Sequence, residues 1–209
     1  MDDKIYEYVK RIGFSQCDSR KTLTLPSLVD DFQDCSTFQS EDLGVGYDFL
    51  EENDYLWVIN YWEIDIEALP KLCDRVAVGT FPHGFKVFFG YRNFYLKDEK
   101  GNMAVKANSM WTLINRTTGK PDRIPKYISD VYVLKEKLPM TYGNRKVELS
   151  KDKVYTETNA TEVTIRNLHL DSNGHVNNAQ YIKLAMDALP ETFKIKRLRI
   201  EYRMQALLG

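Results

Sequence analysis

Asp171, Asn173 and His175 stand at alternate positions, separated only by Ser172 and Gly174. In an extended segment alternate side chains point the same way, so a carboxylate, an amide and an imidazole would converge with nothing bulky between them. Such a set suits a hydrolytic site. Asp171 would act as general base on water or attack directly. Asn173 would donate to the carbonyl or fix the water. His175 would protonate the leaving group or orient Asp171. The same residues also fit a plain turn. A calcium loop begins similarly, but His175 at its fifth position and the missing closing acid argue against it.

Asn177 with Gln180 has the form of a capping box, and Tyr181 to Leu189 continues a helix that Pro190 ends. The free N–H groups at that helix start would meet a developing oxyanion. Ahead of it, Tyr6 to Phe14 alternates, Ser15 to Lys21 is polar, and a helix starts near Pro26-Ser27 and runs through Phe32 and Phe38 towards Gly44. Leu56–Ile64, Arg75–Phe81, Phe85–Leu96 and Met103–Asn115 have strand composition, with Asp98 to Asn102 as a hairpin turn. That order is α+β. Residues 117–155 carry Pro121, Pro125, Pro139 and Gly143-Asn144 and read as a connection, partly helical or extended over the surface.

A strand–helix–strand order then resumes. Val163, Ile165, Leu168 and Leu170 form one strand, the helix follows, and Ile195 to Met204 forms another. The repeat of pattern suggests tandem units over 1–125 and 156–209, joined by 126–155. Apolar residues surround most of the second helix, which predicts its enclosure in a core. After Leu189 there is room for about one ordinary strand, so the second unit is expected to be incomplete, with an exposed edge.

The chain has 209 residues, 43% hydrophobic and 28% charged, with net charge −1. Nothing global in that balance favours nucleic acid or a membrane. No apolar run approaches a transmembrane length. Met1-Asp2-Asp3-Lys4 opens no signal or transit peptide. Cys17, Cys35 and Cys73 lack metal-ligand spacing and suit a reducing cytoplasm. Asn115-Arg-Thr117 and Asn159-Ala-Thr161 match a glycosylation pattern that has no meaning without secretion.

The stretch Asp-x-Asn-x-His-Val-Asn-Asn-x-x-Tyr-Ile, within Leu170 to Leu189, resembles the signature of acyl-acyl carrier protein (acyl-ACP) thioesterases, a family of tandem hotdog-fold hydrolases. Arg199-Ile200-Glu201-Tyr202-Arg203 is similar to the strand after that family's central helix. Thr80 to Phe85, continuing to Phe94, looks like a first-domain segment of its bacterial members. The resemblance implies a double hotdog, each unit a central helix wrapped by an antiparallel β-sheet. It also implies active-site roles for Asp171, Asn173 and His175. Gln205 and Ala206 stand where many plant relatives have a catalytic acid and a cysteine. Gln205 can therefore position water or carbonyl but cannot be a base, and a cysteine nucleophile is excluded there.

The first unit has no Asn or His between Gln16 and Leu25, which predicts no active site of its own; the resemblance implies that this half shapes the acyl pocket. Trp57, Tyr61, Phe81, Phe85, Phe88, Phe89 and Phe94 are candidates for its lining, each of them equally at home in a core. His83 and His169 are given no chemical role. The implied reaction is hydrolysis of fatty acyl-ACP to free fatty acid in a bacterial cytoplasm, with no metal and no dissociable cofactor. Phosphopantetheine belongs to the substrate. The implied partner is the acidic carrier protein, for which Lys194, Lys196, Arg197, Arg199 and Arg203 offer a basic run that reads equally as a solvated outer sheet face. No nucleic acid and no membrane insertion are expected, and homodimerisation stays open. Alternatives are a hotdog acyl-CoA thioesterase and a catalytically silent acyl-binding protein.

Overall fold

The first helix, α1 (Leu25–Asp42), is set by local chemistry: Thr24 Oγ1 accepts the Ser27 N–H as N-cap, and Pro26 occupies the first turn. Its apolar side buries Leu25, Leu28, Val29, Phe32 and Cys35 against a sheet. The computed structural model describes residues 5–148, 162–171, 173–190 and 193–209. Met1–Lys4, the Asn159–Thr161 motif and the expected junction near residue 155 lie outside them.

The sheet contains β1 (Tyr6–Arg11), β2 (Tyr55–Ile66), β3 (Arg75–Lys86), β4 (Phe89–Lys97), β5 (Met103–Asn115) and β6 (Arg197–Glu201). Every pairing is antiparallel, in the order β1-β3-β4-β5-β2-β6. At the centre of the core, Phe32 of α1 meets Phe94 of β4 at 5.3 Å and Trp62 of β2 at 6.1 Å between ring centroids. Trp62 and Phe94 lie 5.0 Å apart. Such ring pairs add about 0.5–1.5 kcal/mol each beyond area burial. A helix packed on one face of an antiparallel sheet is the α+β arrangement that the sequence predicts.

The opposite face is covered by the connection. After α2 (Tyr47–Glu52), absent from the sequence-based expectation, and α3 (Lys126–Ser129), the chain crosses the sheet in extended form. There Leu138 N–H donates to Asn93 Oδ1 at 3.1 Å, and Gly143 N–H donates to Glu63 at 2.9–3.0 Å.

Four expectations need correction. The third strand does not end at Phe81 but runs on to Lys86, with a register shift between Pro82 and Gly84, and the fourth starts at Phe89 rather than Phe85. Residues 163–170 form no strand, and Asn167–His169 is a single 3-10 turn. The last strand is Arg197–Glu201, shorter than Ile195 to Met204. The second helix, α4 (Asn178–Asp187), is not enclosed: only Ala179 and Ile182 are buried, while Lys183, Ala185 and Asp187 are exposed. It lies against α1, with Tyr202 beyond β6 meeting Tyr181 edge-to-face, ring centroids 5.7 Å apart. The two halves share one sheet, because β6 pairs with β2 from Asp65↔Arg197 to Tyr61↔Glu201.

Candidate active site

The segment that leads into α4 is a tight loop rather than an extended strand. Asp171 N–H donates to His175 O at 2.7 Å, and Gly174, at φ +73°, donates back to Asp171 O at 3.0 Å. Asp171 Oδ1 accepts the backbone N–H groups of Asn173 at 2.8 Å and His175 at 3.1 Å. The expected convergence of three alternate side chains is therefore replaced by a carboxylate that holds its own loop. Leu170 and Val176 bridge the loop's base, and Asn177 N–H donates to His169 O at 2.9 Å. Asn177 Oδ1 caps α4 through Ala179 N–H at 2.8 Å, so the N-cap is where the sequence puts it.

Two contacts seat this loop on the N-terminal half, through Gln33 and Tyr47, and a third ties it to Tyr202 beyond β6. Asn178 Nδ2 donates to Gln33 Oε1 of α1 at 2.7 Å. Tyr202 O–H donates to the carbonyl of Asn178 at 3.1 Å. Tyr47 O–H of α2 donates to Asn173 Oδ1 at 3.4 Å. Between them opens a cavity of about 230 Å³, walled by α1, α2, the sheet and the loop. Asp171, Asn173 and Asn178 line one side; Leu56, Trp57, Pro82, Phe85 and Trp111 supply its apolar surface.

Of the predicted site residues, then, Asp171 and Asn173 share the cavity wall. His175 is half-buried beside them, is not on the wall, and its imidazole makes no hydrogen bond among the described residues. Gln205 is exposed beyond β6 and away from the cavity. Of the predicted aromatic lining, Trp57 and Phe85 face the cavity, Phe94 is core, and Phe88 and Phe89 stack on each other at 4.5 Å. Tyr61 is also buried, its hydroxyl accepting from Asn108 Nδ2 at 2.6 Å.

Sequence reasoning missed the polar wall: Gln33, Ser36, Thr37 and Ser40 of α1, with Tyr47, Arg92 and Tyr132. Its signal was present, since polar residues at 33, 36, 37 and 40 mark one helical stripe. Arg92 is buried without a carboxylate partner among the described residues, and burial pulls its pKa below the usual arginine range. Asp30, on α1, is pushed up to about 6, first by burial and then by Asp34 and Asp31. His83 packs on Tyr91 and Tyr142 and contacts Asn108 at 3.0 Å; burial lowers its pKa.

Three residues of the basic run, Arg197, Arg199 and Arg203, are already engaged within the chain. Arg197 Nη2 pairs with the fully buried Glu63, which also has Arg199 Nε 3.4 Å away. Arg199 also donates to Asn144 O, and Arg203 pairs with Glu201 at 2.6 Å. These arginines clamp the connection onto the sheet.

Residues 3–132 match the family model for the acyl-ACP thioesterase N-terminal domain, and residues 152–209 match that for its C-terminal domain. The chain belongs to the acyl-ACP thioesterase family. A chloroplastic acyl-[acyl-carrier-protein] hydrolase of Cuphea viscosissima is 26% identical over 199 residues, which cover 88% of this chain and 48% of the plant protein. This family member thus spans about half the length of such plant relatives. An acyl-ACP thioesterase structure from Bacteroides thetaiotaomicron matches with TM-score 0.85 and 28% identity, covering 100% of this chain and 86% of that one. The 12:0-ACP thioesterase of Umbellularia californica shares the fold, with TM-score 0.80 and 18% identity over 97% of this chain and 83% of its own. No helix among the described residues of this acyl-ACP thioesterase relative is long and apolar enough to cross a membrane.

Proposed function

We propose that this chain binds the acyl group of a fatty acyl-ACP and hydrolyses its thioester to free fatty acid and carrier protein. One observation carries this: Asp171 and Asn173 stand together on the wall of a partly apolar cavity, at the start of α4. A thioester is already activated, so a directed nucleophile, a donor for the oxyanion and a place for the chain are enough.

The geometry suggests how the residues divide this work. Asp171 Oδ1 is fixed by two N–H groups of its own loop, and among the described residues Oδ2 has no hydrogen bond. Oδ2 is the atom that takes a proton from the attacking water. Tyr47 donates to Asn173 Oδ1, which turns the Asn173 amino group outward as a donor for the thioester carbonyl. The backbone N–H of His175 helps hold Asp171, and its imidazole, half-buried beside the loop, is the group left to protonate the departing thiolate. Gln205 would need to move inward to position water or substrate.

In this scheme residues 1–125 form the acyl-binding unit, 126–155 the connection and 156–209 the unit with the hydrolytic loop. The carrier protein is the partner. Three free cysteines suit a cytoplasmic location. Steady-state hydrolysis of matched acyl-ACP and acyl-CoA tests the assignment. Higher kcat/KM on acyl-ACP is expected, and a strong preference for acyl-CoA would overturn it.

A further inference from the structure

A second cavity, of about 370 Å³, adjoins the first beside the end of α1 and the start of β1. Pro82 lines the first cavity and Phe81 the second; Tyr132 lines the first, while its neighbours Val131 and Val133 line the second. Arg92 belongs to the first and Gln39 to the second, and Arg92 Nη1 donates to Gln39 Oε1. That hydrogen bond joins the two linings and would serve as the partition between them.

Its chemistry makes it a wall that can open. Arg92 is 8% exposed, and a guanidinium so buried usually has an ionic partner. Here the partners are neutral: Gln39, Thr80 Oγ1 at 3.2 Å and the face of Tyr132, 5.3 Å from Cζ to the ring centroid. No carboxylate pins it among the described residues. Beyond the partition, Leu43, Phe81, Val131 and Val133 offer apolar surface. The acids there are already engaged: Glu7 accepts from Tyr95 at 2.6 Å and Lys97 at 2.7 Å, and Asp42 from Tyr6 at 3.0 Å.

We propose that the Arg92–Gln39 pair is a gate on acyl-chain length and that the second cavity receives the distal methylenes of a long chain when the gate parts. Closed, it presents a charged stop that an alkyl terminus cannot desolvate, so short chains fit best. This rests on the acyl-ACP reading above.

The test compares octanoyl-, lauroyl- and palmitoyl-ACP as substrates of the parent chain and its Gln39→Ala and Arg92→Met variants. The parent should prefer octanoyl-ACP. Both variants should raise the palmitoyl-to-octanoyl ratio of kcat/KM by about tenfold or more, the effect expected when chain methylenes gain a pocket. An unchanged ratio, a parent that already prefers palmitoyl-ACP, or a uniform loss at all lengths in both variants would overturn the gate. Calorimetric binding of octanoate and palmitate reads the same ratio without turnover. If that ratio moves while no acyl-ACP is hydrolysed, the gate stands and the hydrolase reading falls. If hydrolysis occurs but neither ratio moves, the gate falls alone.

Discussion

Glu63 is a fully buried carboxylate that accepts Gly143 N–H at both oxygens and meets two arginines from β6. Removing one partner of a buried ionic cluster typically costs about 3–5 kcal/mol, and the partly exposed arginines here can rehydrate, which favours the low end. Glu63→Gln should therefore destabilise by roughly 2–3 kcal/mol, read by denaturant unfolding. Asp30 behaves oppositely. Its pKa is raised from 3.8 to about 6, chiefly by burial, so folding favours its protonated form. The penalty is fully present above about pH 6 and disappears below the ordinary 3.8. After allowance for screening, Asp30→Asn should raise Tm above that pH by about 2–4 °C, the shift expected for roughly 1 kcal/mol at this size. The gain should vanish in acid, as calorimetry across pH would reveal. At this scale, the identities of Asp171 and Asn173 as cavity residues were legible from their spacing and the helix behind them. The geometry was not, because Asp171 satisfies its own loop's N–H groups and so replaces the extended form. Arg197 and Arg199 misled for a related reason: their partner, Glu63, is more than a hundred residues distant in sequence.

The hairpin at Val87-Phe88 shows what pattern reading misses among elements. Val87 has φ +57° and is exposed, a conformation costly for a β-branched residue, and it carries no turn signature. Ile124 N–H donating to Val87 O at 2.9 Å helps hold it there. Proline and glycine at 82 and 84 draw the eye to a bulge instead. Val87→Asn should stabilise by about 1 kcal/mol, measured as a higher unfolding midpoint. Where a cap residue accompanies apolar periodicity, as at Thr24 and Asn177, the helix starts were legible to within a few residues. Asn177→Ala should cost about 1 kcal/mol and loosen the start of α4, visible as faster amide exchange at Ala179. The enclosure of α4 was misread because apolar residues around a helix say nothing about what is present to cover them.

Across the whole molecule, the α+β order and antiparallel sheet were legible because strand periodicity and helix capping agree along the first 115 residues. That β6 would extend the same sheet could not be read from sequence, since pairing across the connection depends on contacts such as Ile64↔Leu198. This shared sheet, together with the Asn178–Gln33 and Tyr47–Asn173 contacts, sets the loop of one half against the cavity of the other. In the proposed scheme, hydrolysis therefore needs both halves. Its most direct test is fatty acid release from acyl-ACP by the parent chain and by Asp171→Asn, which keeps size and the Oδ1 acceptor while removing the base. A fall in kcat of about 10²-fold or more is predicted, the usual contribution of a positioned general base. Equal rates, with folding intact, would contradict the assignment of Asp171 and the mechanism built on it.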